Sequence, residues 1–284
     1  MTRETAENKW VRQIVDLQHE DGSWGFFHSL SRPVKETPIT TEQALRRLKL
    51  LGLTKADEPI KRALVYLEKC LCRKLQIPDR REKLHDWDIF TGLMLSVWIR
   101  EFDPENKAAL RTANQWAEVI TTAFATGVYS PEHYVRAYQK QFFLRPKGGR
   151  LTDFVSFYPV SLLRGVLPSK IESAMLDYIL PHSTGIYYVY ESPLNTPPEM
   201  FASLKASRYL AALEALSEYS LAPQKLGFAA EWIKAHQNQD GQWDMGGEAK
   251  DNIHFPLSDS WRKPEDRKRD CSARIGKLLQ RIER

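Results

Sequence analysis

Hydrophobic residues recur along this chain with the three-to-four-residue period of an α-helix, which predicts an all-α fold. We expect ten or eleven helices. Those with the clearest bounds cover residues 8–19, 86–102, 154–166, 168–178, 199–219, 223–236 and 270–281. Residues 185–190 have the aromatic and β-branched composition of a strand, so we expect one short β-hairpin or strand insertion there.

Two kinds of helix alternate along the chain. Segments 86–102, 153–166, 201–220 and 270–279 are apolar nearly all round, whereas the others are apolar on one side only. A helix that is apolar on every side belongs inside a protein, and a one-sided helix belongs outside. The pattern therefore predicts an α/α toroid, or barrel, of five to six helix pairs. No composition shift divides the chain, so we expect residues 1–284 to form one domain.

One short motif occurs twice, once near each end of the chain. Its two copies are Gln18-x-x-x-Gly22-x-Trp24 and Gln237-x-x-x-Gly241-x-Trp243. Each copy closes an amphipathic helix, and such self-similarity indicates a repeated supersecondary unit. A glutamine side chain can satisfy free groups at a helix end, a glycine permits the turn, and a tryptophan buries a large area.

The two motifs and the helices before them resemble the QW repeats of the terpenoid-cyclase and protein-prenyltransferase superfamily. The resemblance implies outer toroid helices that end in this motif, with the glutamine capping a neighbouring helix end and the tryptophan stacking at the turn. Motifs near both ends would bring the first and last helix pairs together. The resemblance also implies an isoprenoid or another apolar ligand in the cavity. The same toroid serves cyclases, lipid transferases and non-catalytic binders, so the motif is specific for fold rather than function.

Composition and charge narrow the class of protein. Hydrophobic residues make up 42 % of the chain and aromatic residues 11 %, which is enough for a sizeable core. No apolar run approaches a membrane span, and residues 1–9 are polar, so we expect a cytoplasmic protein without an integral membrane segment. Three cysteines fit a reducing compartment. The net charge of +5 comes without a basic stripe interleaved with aromatics, so nucleic acid is not an expected partner. The oligomeric state stays open.

The start of the apolar segment 86–102 carries the candidate catalytic acids. In the cyclases that protonate their substrate, an Asp-x-Asp-Asp sequence occupies such a place and its middle aspartate is the acid. Asp86 and Asp88 match that sequence, and Ile89 departs from it. The resemblance implies that Asp88 donates the proton, that Asp86 tunes it and that His85 assists, because two carboxylates in an apolar cavity disfavour double ionisation. The alternative is that Asp86 or Asp88 only caps the helix.

Five further residues are candidates for substrate binding. Trp87 and Phe157 could line an apolar cavity, where aromatic faces stabilise cations. Lys205 and Arg208 lie three apart, share one helix face and could receive a diphosphate. Asp153 begins an apolar helix and could lie at the rim of the same cavity. The alternatives are ordinary core aromatics, an exposed helix end and a helix cap.

We expect no metal site and no cofactor. The prenyltransferase zinc site needs Asp-x-Cys and a distant histidine, whereas Asp270 and Cys271 are adjacent and no histidine follows them. The chain also lacks a Gly-rich phosphate loop and a His-Glu-x-x-His sequence.

The leading function is binding of an isoprenoid or another apolar ligand in the toroid cavity, with proton-initiated cyclisation if the protein is an enzyme. One alternative is a non-catalytic binding or scaffold toroid. The other is a carbohydrate-active enzyme on an α/α barrel, which predicts carboxylates about 5–10 Å apart across an open polar cleft with exposed tryptophans.

Overall fold

The computed structural model describes residues 9–28, 31, 38–81, 83, 86–147, 154–251, 253 and 261–284. Within these residues it contains twelve α-helices and no strand, which confirms the all-α prediction. The helices are α1 (Lys9–Val15), α2 (Thr41–Leu50), α3 (Glu58–Leu71), α4 (Trp87–Phe102), α5 (Lys107–Ala123), α6 (Pro131–Phe142), α7 (Phe157–Leu162), α8 (Ser169–Ile179), α9 (Leu204–Leu216), α10 (Ala222–Lys225), α11 (Gly227–Ala235) and α12 (Pro264–Ile282). The chain divides into two compact units, Met1–Ala113 and Asn114–Arg284, and each is described by itself.

Several helix bounds differ from those predicted, and local backbone chemistry explains the differences. The predicted helix 223–236 is two helices, because Leu226 leaves helical geometry at φ −108° and ψ 12°. The predicted helix 199–219 begins only at Leu204, since extended Ser203 caps it and accepts a 3.0 Å hydrogen bond from the backbone N–H of Ala206. The predicted helix 270–281 begins earlier, at Pro264, where a missing backbone N–H costs nothing.

Two further segments depart from their predicted conformation. The predicted helix 154–166 is confined to α7, because Ser156 before it is extended. The predicted strand over 185–190 is not confirmed. The backbone N–H groups of Ile186 and Tyr190 each donate a 2.9 Å hydrogen bond to the carbonyl of the other, so the segment turns back on itself within five residues.

The first unit packs around α4, whose residues from Leu93 to Arg100 are all buried. This agrees with a helix that is apolar nearly all round. Helix α3 packs against α4. Helix α2 brings a fully buried carboxylate into the same core, and its Glu42 Oε1 accepts a 2.9 Å hydrogen bond from Trp98 Nε1. Burial of a carboxylate needs such a partner.

The first motif folds as a compact turn that we call the first clasp (residues 18–24). Gln18 Nε2 donates a 3.0 Å hydrogen bond to the Gly22 carbonyl. Trp24 is fully buried, and its Nε1 donates a 2.7 Å hydrogen bond to the carbonyl of Ile14 in the last turn of α1. The Trp24 backbone N–H donates to Thr41 Oγ1 at the start of α2. The turn therefore connects the end of one helix to the start of the next.

The second motif, which we call the second clasp (residues 237–243), repeats these hydrogen bonds in the second unit. Gln237 Nε2 donates to the Gly241 carbonyl at 2.7 Å, and Trp243 Nε1 donates to the Ile233 carbonyl at 2.8 Å. The Trp243 backbone N–H again donates to a hydroxyl, that of Ser272 in α12. The two copies of the motif are therefore two copies of one local structure.

The two clasps differ in their contacts with the rest of the chain. Gln18 Nε2 also donates a 2.9 Å hydrogen bond to the carbonyl of Pro59 in the first turn of α3. A Cβ atom on Gly22 would lie 2.4 Å from the Arg62 carbonyl oxygen, so this glycine permits the close approach of α3. In the second clasp, Gln237 and Gly241 are exposed to solvent.

A buried ion pair joins α9 to α12 in the second unit. The Arg274 guanidinium is 4 % exposed and donates to both carboxylate oxygens of Glu214, at 2.7 and 3.0 Å. It also donates to the hydroxyl and the carbonyl of Ser207, each at 3.1 Å. Farther along α12, Arg281 pairs at 3.1 Å with Glu218, which lies two residues beyond the end of α9. Because a bidentate pair with further hydrogen bonds is strong, it fixes the register of α12 on α9.

The two glycines of the clasps give a matched test of the fold. Both have positive φ, +95° at Gly22 and +75° at Gly241, so alanine is strained at either position. Only Gly22 also faces a backbone carbonyl. We expect Gly241→Ala to lower the free energy of unfolding by about 1 kcal/mol and Gly22→Ala by about 3 kcal/mol or more. Urea unfolding followed by circular dichroism measures both losses. Equal losses would contradict the close approach of α3 to the first clasp.

The buried ion pair gives a second test. Glu214→Gln leaves the Arg274 guanidinium buried without its carboxylate, and we expect it to lower the free energy of unfolding by about 2 kcal/mol. The matched control is Glu265→Gln, which removes an exposed pair with Lys268 on α12. That change should cost less than about 0.5 kcal/mol. Thermal and urea unfolding of the two variants compare the losses, and a smaller loss at position 214 than at position 265 would refute the role of the pair.

Candidate functional site

The candidate acids lie at the solvent-facing start of α4. Asp86 is the N-cap residue, and its side chain accepts a hydrogen bond of 3.4 Å from the backbone N–H of Ile89. The Asp88 side chain is 55 % exposed. Its carboxylate lies 3.5 Å from the Arg81 guanidinium and 3.9 Å from that of Arg73, and both arginines are also exposed.

This geometry differs from the apolar cavity that a proton donor needs. The position of Asp86 is that of an ordinary helix cap, in which a carboxylate satisfies free N–H groups of the first turn. Asp88 lies at the surface of the protein, close to two guanidinium groups that are themselves exposed. Among the described residues, the arrangement supports capping and surface pairing rather than acid catalysis.

Of the three candidates Trp87, His85 and Asp153, the structure describes only Trp87. Trp87 is half-buried, with its ring centroid 6.4 Å from that of Phe90. His85 and Asp153 lie outside the described residues. Their assigned roles stay predictions.

The candidates of the second unit lie on two helices that pack together. Phe157 begins α7, is half-buried and makes an edge-on contact with the Tyr158 ring at 5.1 Å. Lys205 and Arg208 lie in the first turns of α9, and both are exposed. Neither forms an ion pair with another described residue. Their position matches the exposed helix end that was the alternative to a diphosphate site.

The second unit contains an aromatic cleft that the sequence analysis did not single out. It has a volume of about 360 Å³ and opens between the end of α5 and the end of α8. A volume of this size is typical of small-molecule sites. We call it the aromatic cleft, and its lining is Phe124, Gly127, Val128, Tyr129, Ala174, Asp177, Tyr178, Pro181 and His182.

Stacked and edge-on aromatic rings form the wall of the cleft. The Tyr129 and Tyr178 centroids lie 4.5 Å apart, and the two rings are inclined by 33°. Phe124 meets Tyr178 edge-on at 5.9 Å, and buried Phe154 lies 5.9 Å behind Tyr178 in a stacked arrangement. Because each ring is fixed by another ring, the wall is preformed, which lowers the entropic cost of binding a ligand.

Polar groups lie at the rim of the cleft. Both carboxylate oxygens of Asp177 accept hydrogen bonds from Lys225 Nζ, at 2.7 and 2.8 Å. The Nδ1 atom of His182 lies 3.2 Å from Thr184 Oγ1. The acid of the cleft is already paired to a lysine, and the surface that the cleft presents is mainly apolar and aromatic. The arrangement is suited to binding.

The sequence carries a signal for this cleft. Tyr178 lies in the last turn of α8, and the nearby His182, three residues beyond the end of that helix, makes an edge-on contact with the Tyr178 ring at 5.3 Å. Gly127 has a φ of +87° and makes the turn that brings Tyr129 back beside Phe124. The sequence alone does not show that these two short segments pack against each other.

Among the described residues, no group of three or more potential metal ligands comes together. None of the described helices combines the length and apolar character needed to cross a bilayer. Comparisons with protein-family models, with curated proteins and with solved structures found no match to this chain.

The three cysteines differ in accessibility, and this difference is testable. Cys72 is exposed, whereas burial raises the pKa of the Cys70 thiol to about 11 and that of Cys271 to about 12. A buried thiol that stays protonated reacts slowly with electrophiles. Brief treatment of the folded protein with iodoacetamide should therefore give one adduct, at Cys72. Mass spectrometry counts and maps the adducts, and the denatured chain, which should take three, is the control. Rapid modification of Cys271 in the folded protein would contradict its burial.

Proposed function

We propose that this chain is a helical protein of the α/α toroid type that binds an apolar small molecule, such as an isoprenoid, without converting it. The observation that carries the proposal is the aromatic cleft. Its wall consists of mutually supported rings, its volume suits a small ligand, and its one carboxylate is paired with a lysine. An isoprenoid chain fits such a surface because its branched hydrocarbon gains free energy from leaving water.

The toroid part of the proposal is supported by the two clasps. Each connects a helix end to a later helix with the same set of hydrogen bonds, the first at the start of α2 and the second within α12, as expected if one helix-pair unit is repeated. A single domain over residues 1–284 is part of the same proposal.

The non-catalytic part of the proposal rests on Asp88. A carboxylate that initiates cyclisation must hold its proton in an apolar surrounding until the substrate arrives. Asp88 instead lies near two guanidinium groups and is open to water. We therefore assign Asp86 and Asp88 to the stability of α4 rather than to chemistry.

The carbohydrate-active alternative has less support. That class of enzyme binds sugar rings on exposed tryptophans, and all eight tryptophans of this chain are buried or half-buried. Among the described residues, Asp177 is the only acid in the lining of the cleft, whereas glycoside hydrolysis requires a pair of carboxylates.

Calorimetric titration with farnesol and farnesyl diphosphate tests the proposal. We expect binding with a dissociation constant on the order of 10 µM and a negative heat-capacity change, because apolar surface is buried. Ala174→Trp fills the cleft from one wall and should abolish binding. The matched control is Ala235→Trp at an exposed position in α11, which should leave the affinity unchanged.

Gas chromatography of the incubated mixtures tests the absence of catalysis. We expect farnesol and farnesyl diphosphate to be recovered unchanged from the wild-type protein. A cyclised product that is lost in Asp88→Asn would overturn the non-catalytic assignment and restore Asp88 as the acid. Undiminished binding by Ala174→Trp would overturn the cleft as the site.

A further inference from the structure

The end of α6 exposes an aromatic side chain that nothing in the proposed function uses. Phe143 is 87 % exposed, and Leu144 after it is 44 % exposed. The preceding residue behaves in the opposite way, since the Phe142 ring packs 4.7 Å from Tyr138 and 5.3 Å from Trp116. The Phe142 ring therefore packs against other aromatic rings of this unit, whereas the Phe143 ring lies in solvent.

The backbone holds Phe143 in that position at a cost. It has φ 59° and ψ 17°, the left-handed conformation, and its N–H donates a 2.9 Å hydrogen bond to the Gln139 carbonyl. Glycine usually occupies this place at a helix end, because a side chain is strained there. A residue that is both strained and apolar in water indicates a role outside the stability of the fold.

The charged residues next to Phe143 and Leu144 in the sequence are all positive. Lys140, Arg145 and Lys147 flank the two apolar residues, and all three are exposed. No acidic residue occurs from His133 to Lys147. None of the three cations forms an ion pair with another described residue, so their charges are free to act on a partner.

We propose that the corner at Phe143 and Leu144 binds the surface of a lipid bilayer that contains anionic headgroups. The two apolar side chains enter the interfacial layer, and the three flanking cations lie against the negatively charged headgroups. Aromatic side chains favour this layer because it accepts an apolar ring at the boundary with water. This inference goes beyond the proposed function and does not rest on it.

Charge favours a lipid surface over a protein partner. A protein-binding site usually combines both signs of charge around a pocket that receives an anchor residue. Here an exposed apolar tip is flanked along the chain by cations alone, which fits a negatively charged lipid surface. No membrane-spanning helix is required, because the contact involves only the tip of a loop.

Co-sedimentation of the full chain with vesicles tests the proposal. One set of vesicles is phosphatidylcholine alone, and the other is equal parts of phosphatidylcholine and phosphatidylserine. We expect the protein to sediment with the second set only, and to be released as salt rises, because salt screens the attraction between cations and headgroups. Absence of binding to both sets, or equal binding to both, would overturn the proposal.

Two variants locate the contact. Phe143→Gly removes the ring and also relieves the strain at positive φ, so we expect about tenfold weaker binding without loss of thermal stability. Arg145→Glu should weaken binding and reduce its dependence on salt. The matched controls are Val65→Ser, an exposed apolar residue on α3, and Lys170→Glu, an exposed cation on α8. If Phe143→Gly binds as tightly as the wild-type protein, or if the controls lose as much binding, the assignment is refuted.

Discussion

The hydrogen bond from a buried indole to a carbonyl near a helix end is the interaction on which the order of helices depends in both units. Trp24 and Trp243 donate to the carbonyls of Ile14 and Ile233, each ten residues earlier. A carbonyl near a helix end has a lone pair available, and a buried indole N–H needs an acceptor. One bond meets both needs, and it fixes the direction in which the chain leaves the helix. The backbone N–H of the same tryptophan then donates to a hydroxyl of a later helix, so each tryptophan contacts two helices.

Ionic groups inside the molecule serve packing, and this limits where chemistry can occur. Buried Arg274 is satisfied by Glu214 and Ser207, and buried Glu42 accepts from Trp98. Such satisfied groups stabilise one arrangement of helices and have little capacity left for a substrate. The acids that remain in contact with water, such as Asp88, have no apolar enclosure. The binding function that we propose for the aromatic cleft accordingly depends on its shape and apolar surface rather than on a buried ionic group.

Much of the fold follows from local sequence, whereas the site does not. The period of apolar residues predicts the helices, and the apolar α4 is buried as its composition predicts, because hydrophobic pattern and burial have the same cause. The motif residues Gln18, Gly22 and Trp24 form one compact turn, since the bonds from Gln18 to Gly22 and from Trp24 to Ile14 join residues only four and ten apart. Asp88 shows the limit. The sequence of a first helical turn that contains an aspartate is the same whether that turn faces a cavity or water. Tertiary packing alone determines which of the two surrounds the carboxylate. The cleft shows the same limit, because Tyr129 and Tyr178 are 49 residues apart and meet only when α5 and α8 do.

The short sequence separation inside the clasps has a consequence for how the chain folds. The bonds from Gln18 to Gly22 and from Trp24 to Ile14 close loops of four and ten residues, and the second clasp repeats these separations. Closing such small loops costs little chain entropy, whereas the contact of Gln18 with Pro59 spans 41 residues. Local contacts of low contact order form fast. The two clasps are therefore places where native structure can nucleate independently, one in each unit, before the long-range helix contacts assemble around them.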